Sequence, residues 1–212
     1  MYRQQHRKVW MILLIPILVV LTGTGCPFSP NKDTKPPPPV ETFPAAVTID
    51  VLLDNFRAAY TSMNYDEYEK LLDGAFRFVF DPDDITEEQP KPWYSRGDEL
   101  DSTRNMFSQQ PDTRNRIAQS IAMAFVAGDP EVSPENEEWK KIVLSSFELE
   151  LEAIQTDNGE TWFLRTKGGY FVDLHVLQTE EIDPETQARI WKIVQMVDRP
   201  PTTKMKDLIA SS

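Results

Sequence analysis

Two side chains of this 212-residue sequence have the types and the spacing for proton transfer. Asp173 and His175 lie two residues apart in an apolar run, so on an extended strand they share one face. Imidazole titrates near neutrality, and a carboxylate beside it orients the ring and stabilises its charged form, which is the arrangement of a general base. The same alternation supplies a competing reading. Val172, Leu174 and Val176 take the core face, and Asp173 and His175 are left in solvent; the pattern favours this second reading.

Carboxylates gather in two further places. Glu148, Glu150 and Glu152 alternate with Phe147, Leu149 and Leu151. Hard cations take oxygen ligands, but three carboxylates at every second position of a strand spread over about 13 Å. A solvated face of a half-buried antiparallel strand is the better account. Asp81, Asp83 and Asp84 have ligand-like density but lack the glycine turn and distal glutamate of an EF-hand, so Asp-Pro-Asp-Asp reads as a turn. No phosphate-cradling loop, nucleophile elbow or metalloprotease helix occurs. One cysteine and two histidines exclude a multi-thiolate zinc site. The sequence implies no cofactor and no metal.

The lone cysteine is placed for different chemistry. Arg3, Arg7 and Lys8 precede an uncharged apolar run, Val9 to Leu21, too short for the roughly 20 residues of a membrane span. A basic start, a short apolar stretch and then small residues is the order of a secretory signal peptide. Thr24-Gly25-Cys26 resembles the lipobox of bacterial lipoproteins. That resemblance implies cleavage after residue 25, lipidation of Cys26 by acyl chains such as palmitate, and a place in the bacterial cell envelope. Several chains on one residue make an anchor stable where one is marginal. The alternative is an incidental thiol behind an ordinary signal. Residues 27–46 hold seven of the 17 prolines; they read as a polyproline spacer reaching up to roughly 60 Å, or as a docking motif for an aromatic-lined groove.

Composition bounds the rest. Hydrophobic residues are 40% and the net charge is −12, which supports a real core and argues against a nucleic-acid footprint. The organisation expected is a signal peptide (1–25), lipidated Cys26 with a proline-rich linker (26–46), one domain (47–200) and a polar tail (201–212). Within the domain, Ile49, Leu52, Leu53, Phe56, Ala59 and Tyr60 have the helical period. A second helix fits Asp66–Leu72, with Gly74 as its stop, and a strand fits Phe76–Phe80. An acidic loop then runs to about Ser95, and a third helix to Ser108 places Leu100, Arg104 and Phe107 on one face. Strands follow at Asn115–Ala127 and, after a loop over Gly128–Asn136, at Lys141–Thr156. Asp157-Asn158-Gly159 suits a type I′ turn into Thr161–Thr166. Gly168-Gly169 turns the chain again, into Tyr170–Gln178, and Ala188–Val197 comes last.

Helices around one early strand, then a long meander, define an α+β layout. Leu52-Leu53-Asp54-Asn55-Phe56-Arg57-Ala58-Ala59-Tyr60, then Tyr65-Asp66-Glu67-Tyr68 and Phe76-Arg77-Phe78-Val79-Phe80, resemble the opening of nuclear transport factor 2-like domains. Arg189-Ile190-Trp191-Lys192-Ile193-Val194 is similar to that superfamily's final strand. The resemblance implies a strongly bent antiparallel sheet wrapped around two to three N-terminal helices as a cone, often with an apolar pocket. Tyr60, Tyr68, Asp81 and Arg116 are the residues that could line such a cavity. Because the superfamily includes both enzymes and binding modules, fold does not choose function.

Three functions therefore stand. The first is a membrane-anchored lipoprotein whose non-catalytic domain binds a small apolar ligand or an envelope protein. The second is a pocket enzyme, a hydrolase or isomerase using Asp173 and His175. The third is a homodimeric envelope assembly factor. Trp93-Tyr94, in a polar loop, and Trp139 fit either partner anchors or lids on the cone.

Overall fold

In the computed structural model, which describes residues 43–82, 85, 91–165 and 170–199, the chain enters its first helix through Thr48. That hydroxyl accepts the Val51 amide at 3.3 Å and opens α1 (Ile49–Thr61), as an N-cap should. The expected apolar stripe is buried, and Asn55 ties the incoming chain down by donating to the Pro44 carbonyl at 2.7 Å. Asn64 caps α2 (Tyr65–Leu71). The backbone then passes directly into β1 (Leu72–Val79). Gly74 is thus inside the strand and is no helix stop; the helix ends because its C-cap, Leu72, is already extended.

The third helix, α3 (Arg96–Phe107), follows a short strand, β2 (Trp93–Ser95). Ser95 and Asp98 form a reciprocal capping box, which satisfies two amides that the first turn would otherwise leave unpaired. Leu100, Thr103 and Phe107 are the buried face. Arg104, expected among them, points away and donates to the Tyr65 hydroxyl at 2.6 Å. Trp93 and Tyr94 lie on β2, not in a polar loop. Arg77 covers the Trp93 ring, and Tyr94 packs edge-on to Phe80 at 4.8 Å.

Five more strands complete the sheet before its closing strand: β3 (Arg116–Ala127), β4 (Glu131–Val132), β5 (Lys140–Gln155), β6 (Thr161–Arg165) and β7 (Tyr170–Ile182). The last is β8 (Arg189–Arg199). Their hydrogen-bonded order is β2-β1-β8-β7-β5-β3, with β4 and β6 also paired to β5. The α+β curled sheet on three helices is the architecture expected, with one correction: β1 pairs with β8 in parallel, while the other pairings are antiparallel. A parallel pair requires a long crossover, which the whole intervening chain supplies. The loop expected across 128–136 contains β4.

Register shifts interrupt β5 against both of its long neighbours, and such bulges bend and twist a sheet. One falls between Leu144 and Phe147, where Ser146 has φ 51°. Ile142 and Leu144 reach the helix-facing core before it and Phe147 after it, although their spacing breaks strict alternation. The β5–β6 connection is also longer than a two-residue turn. Type I′ needs positive φ at both central residues, and of Asn158 and Gly159 only Gly159 has it, at 72°. Gln155 instead closes the loop by donating to the Glu160 carbonyl at 2.8 Å.

The segments read as signal peptide, Cys26, all but the last residues of the linker, Asp83, Asp84, the Gly168-Gly169 turn and the 201–212 tail lie outside the described residues. Among the described residues no helix is long and apolar enough to cross a membrane.

Candidate functional site

The Asp173 and His175 side chains leave β7 on the face opposite Val172, Leu174 and Val176, which join the helix-packed core. Their facing is as the alternation predicts, but their environment is not. Each is only 1% exposed, because residues 133–139 fold back across the outer face of the sheet. The Ser133 amide donates to the Trp139 carbonyl at 3.0 Å and closes this segment. Its Oγ lies 2.9 Å from His175 Nδ1, and the Trp139 ring stands over the imidazole at 6.2 Å, inclined 74°. Glu135 Oε1 is 4.0 Å from Nε2. Burial lowers the His175 pKa from its ordinary value, only partly offset by the carboxylates of Glu135 and Asp173. Asp173 is ion-paired through Oδ2 to Arg199, at the end of β8, while Oδ1 is buried without a hydrogen-bond partner among the described residues.

A serine at hydrogen-bond distance from a histidine meets one geometric requirement of an activated nucleophile. Access decides against that use here. Ser133 is 3% exposed, and its oxygen already accepts the Glu135 amide at 3.1 Å. The contacts fasten a loop to a sheet.

The interior of the cone is filled. Tyr60 packs edge-on against Tyr68 at 4.9 Å and against Phe107 at 5.4 Å, and Phe56 touches both tyrosines. Glu99 supplies the polar atom these rings need: its Oε1 accepts from Tyr68 at 2.7 Å, Thr103 at 3.2 Å and Tyr60 at 3.4 Å. Desolvation, with the Glu99 charge adding to it, raises the pKa of both phenols, so they remain donors. Of the four residues proposed to line a cavity, Tyr60 and Tyr68 meet here, Asp81 is buried elsewhere, and Arg116 lies at a different place.

That place is an open groove of about 800 Å³ between the C-terminal half of α3, residues 108–114, and the far end of β3, β5 and β6. Strand register explains the hollow. Descending the inner face, Met123 opposes Leu149 and Ile121 opposes Leu151, but the next pair is Ala118 opposite Ala153. Two methyl groups stand where large side chains would have closed the core. Trp162 and Leu164, paired to Ala153 and Leu151 on β6, face the same space and are 48% and 70% exposed. Contiguous exposed apolar surface marks a binding region more often than a scattered residue does, and the volume suits a small molecule.

Arg116 is committed at the groove's rim. Its Nη2 and Nε donate to Asp112 Oδ2 at 2.7 and 3.0 Å. Desolvation acts to raise the Asp112 pKa, but the hydrogen bonds from Arg116 and the Arg114 amide outweigh it and hold the carboxylate below its usual range. Sequence reasoning missed Ser133, Glu99, Arg114, Trp162 and Leu164. The unbroken Trp162-Phe163-Leu164 run was the available sign, since a half-buried edge strand should alternate. Two glutamates of the ladder have protein partners instead: Glu150 pairs with Arg165, and Glu152 accepts from Ser120 at 3.1 Å.

Solved structures share the layout at low identity. An NTF2-like protein of unknown function in nutrient uptake from Rhodospirillum rubrum is 14% identical over 71% of this chain and 96% of that one, with a TM-score of 0.42. A conserved protein from Planctomyces limnophilus is 8% identical over 70% and 90%, with a TM-score of 0.46. ActVI-ORFA from Streptomyces coelicolor is 7% identical over 70% and 90%, with a TM-score of 0.42. The likeness concerns the fold alone. No protein-family model and no curated protein matches the chain.

Proposed function

We propose that this chain is a non-catalytic binding module that holds a small apolar ligand in the groove beneath α3, tethered to a bacterial membrane by lipid on Cys26. One observation carries the binding reading: an 800 Å³ hollow floored by Ala118 and Ala153 and flanked by exposed Trp162 and Leu164. The packed cone interior and the covered His175 support holding over reacting, because neither presents a reactive group to a substrate-sized space. The tether rests on the sequence around Cys26.

The ligand half is tested by titrating 1-decanol and following tryptophan fluorescence, since Trp162 lines the groove. Saturable binding by the wild type, lost in Ala118→Leu with folding intact, is the expected result; no binding by the wild type refutes it. The anchor is tested by metabolic labelling with radiolabelled palmitate. The wild type should incorporate label and Cys26→Ala should not; equal labelling refutes the tether.

A further inference from the structure

The three charged residues at the groove's rim do not neutralise one another. The Asp112 carboxylate is consumed: Oδ2 takes both guanidinium contacts from Arg116, and Oδ1 takes the backbone amides of Arg114 and Arg116, each at 2.8 Å. Arg114 also lines the groove and is exposed, and its guanidinium has no carboxylate partner among the described residues. Its backbone is fixed, because its amide holds Asp112 and its carbonyl accepts from Gln155 Nε2 at 2.9 Å. In a chain of net charge −12, one arginine left uncompensated at the mouth of an apolar hollow is an electrostatic feature of the site. Guanidinium presents a planar donor fork that matches a carboxylate in two parallel hydrogen bonds.

We infer that the groove takes an anionic amphiphile, a single-chain carboxylic acid, with its apolar chain over Ala118 and Ala153 and its carboxylate at Arg114. This rests on the binding reading above and adds to it the ligand's charged head. The apolar flank (Met106, Leu151, Trp162 and Leu164) provides affinity without polarity, whereas Arg114 gives the ligand a direction.

The test compares decanoate with 1-decanol, which share a chain and differ in the head. It uses the full chain carrying Cys26→Ala, so that no lipid of its own competes. Decanoate should bind about tenfold more tightly, the factor corresponding to roughly 1.4 kcal/mol for one charge-assisted contact. In Arg114→Gln that preference should vanish, decanoate falling to the affinity of decanol; circular dichroism verifies the fold. Equal affinity for the two probes, or a preference that survives Arg114→Gln, overturns the inference and leaves the binding reading standing. Failure of both probes to bind overturns the binding reading itself.

Discussion

On the outer face of the sheet His175 lies beneath the Trp139 ring, with Ser133 on one nitrogen and Glu135 facing the other. At the far end of the inner face, Leu164 and Trp162 stand 70% and 48% exposed beside an alanine floor. The first region gathers the residue types that do chemistry and closes them off. The second is floored and flanked by apolar side chains and leaves them open. Access therefore separates the two regions more sharply than residue type does, and the open one is where a ligand can act.

The comparison is broken most forcefully at Arg199. Arg199→Ala leaves the buried Asp173 carboxylate without its cation. The expected loss is about 3 kcal/mol in urea unfolding, the low end for unpairing a buried charge because half of Arg199 is in water. Adding Asp173→Asn should recover part of that loss, since the uncompensated charge is then gone. No loss in the single variant would mean the outer-face cluster does not secure the fold. Ser133→Ala comes next, at about 1–2 kcal/mol for stripping a buried imidazole of its hydroxyl partner. Leu164→Ser, in the other region, should stay within about 0.5 kcal/mol yet weaken decanol binding. A loss as large as that of Arg199→Ala would make the groove a piece of core.

The pH dependence sharpens the same contrast. Burial depresses His175 below its ordinary value of 6.5, so the unfolded chain takes up this proton before the folded one. Its contribution to stability is complete above pH 6.5 and drains away as the pH falls toward the folded-state value. Urea midpoints measured from pH 7.5 downward should therefore fall more steeply in the wild type than in His175→Gln. Parallel profiles would show that the ring is not sealed.

The elements were legible because period and caps are local: the stripe from Ile49 to Tyr60 and the alternation around Leu149 need no distant partner. The direction in which Asp173 points was legible for the same reason. What covers it was not, since alternation tells which way a side chain faces and nothing of what lies beyond. The cover comes from residues 133–139, some forty positions earlier, through contacts that only the fold creates. The groove escaped for a related reason. Ala118 and Ala153 are unremarkable until register sets them opposite each other, and Arg114 differs from Arg116 only once Asp112 has chosen between them. Gly74 misled because glycine marks helix ends often, but it is equally tolerated in a strand with open space around it.

The most direct test of a holding domain is to map where an apolar ligand sits. In a titration of isotope-labelled protein with 1-decanol, followed by amide chemical shifts, perturbations should gather at residues 105–118, 151–153 and 161–165. Shifts centred instead on 133–139 and 173–175 would place the ligand at the histidine and contradict the account.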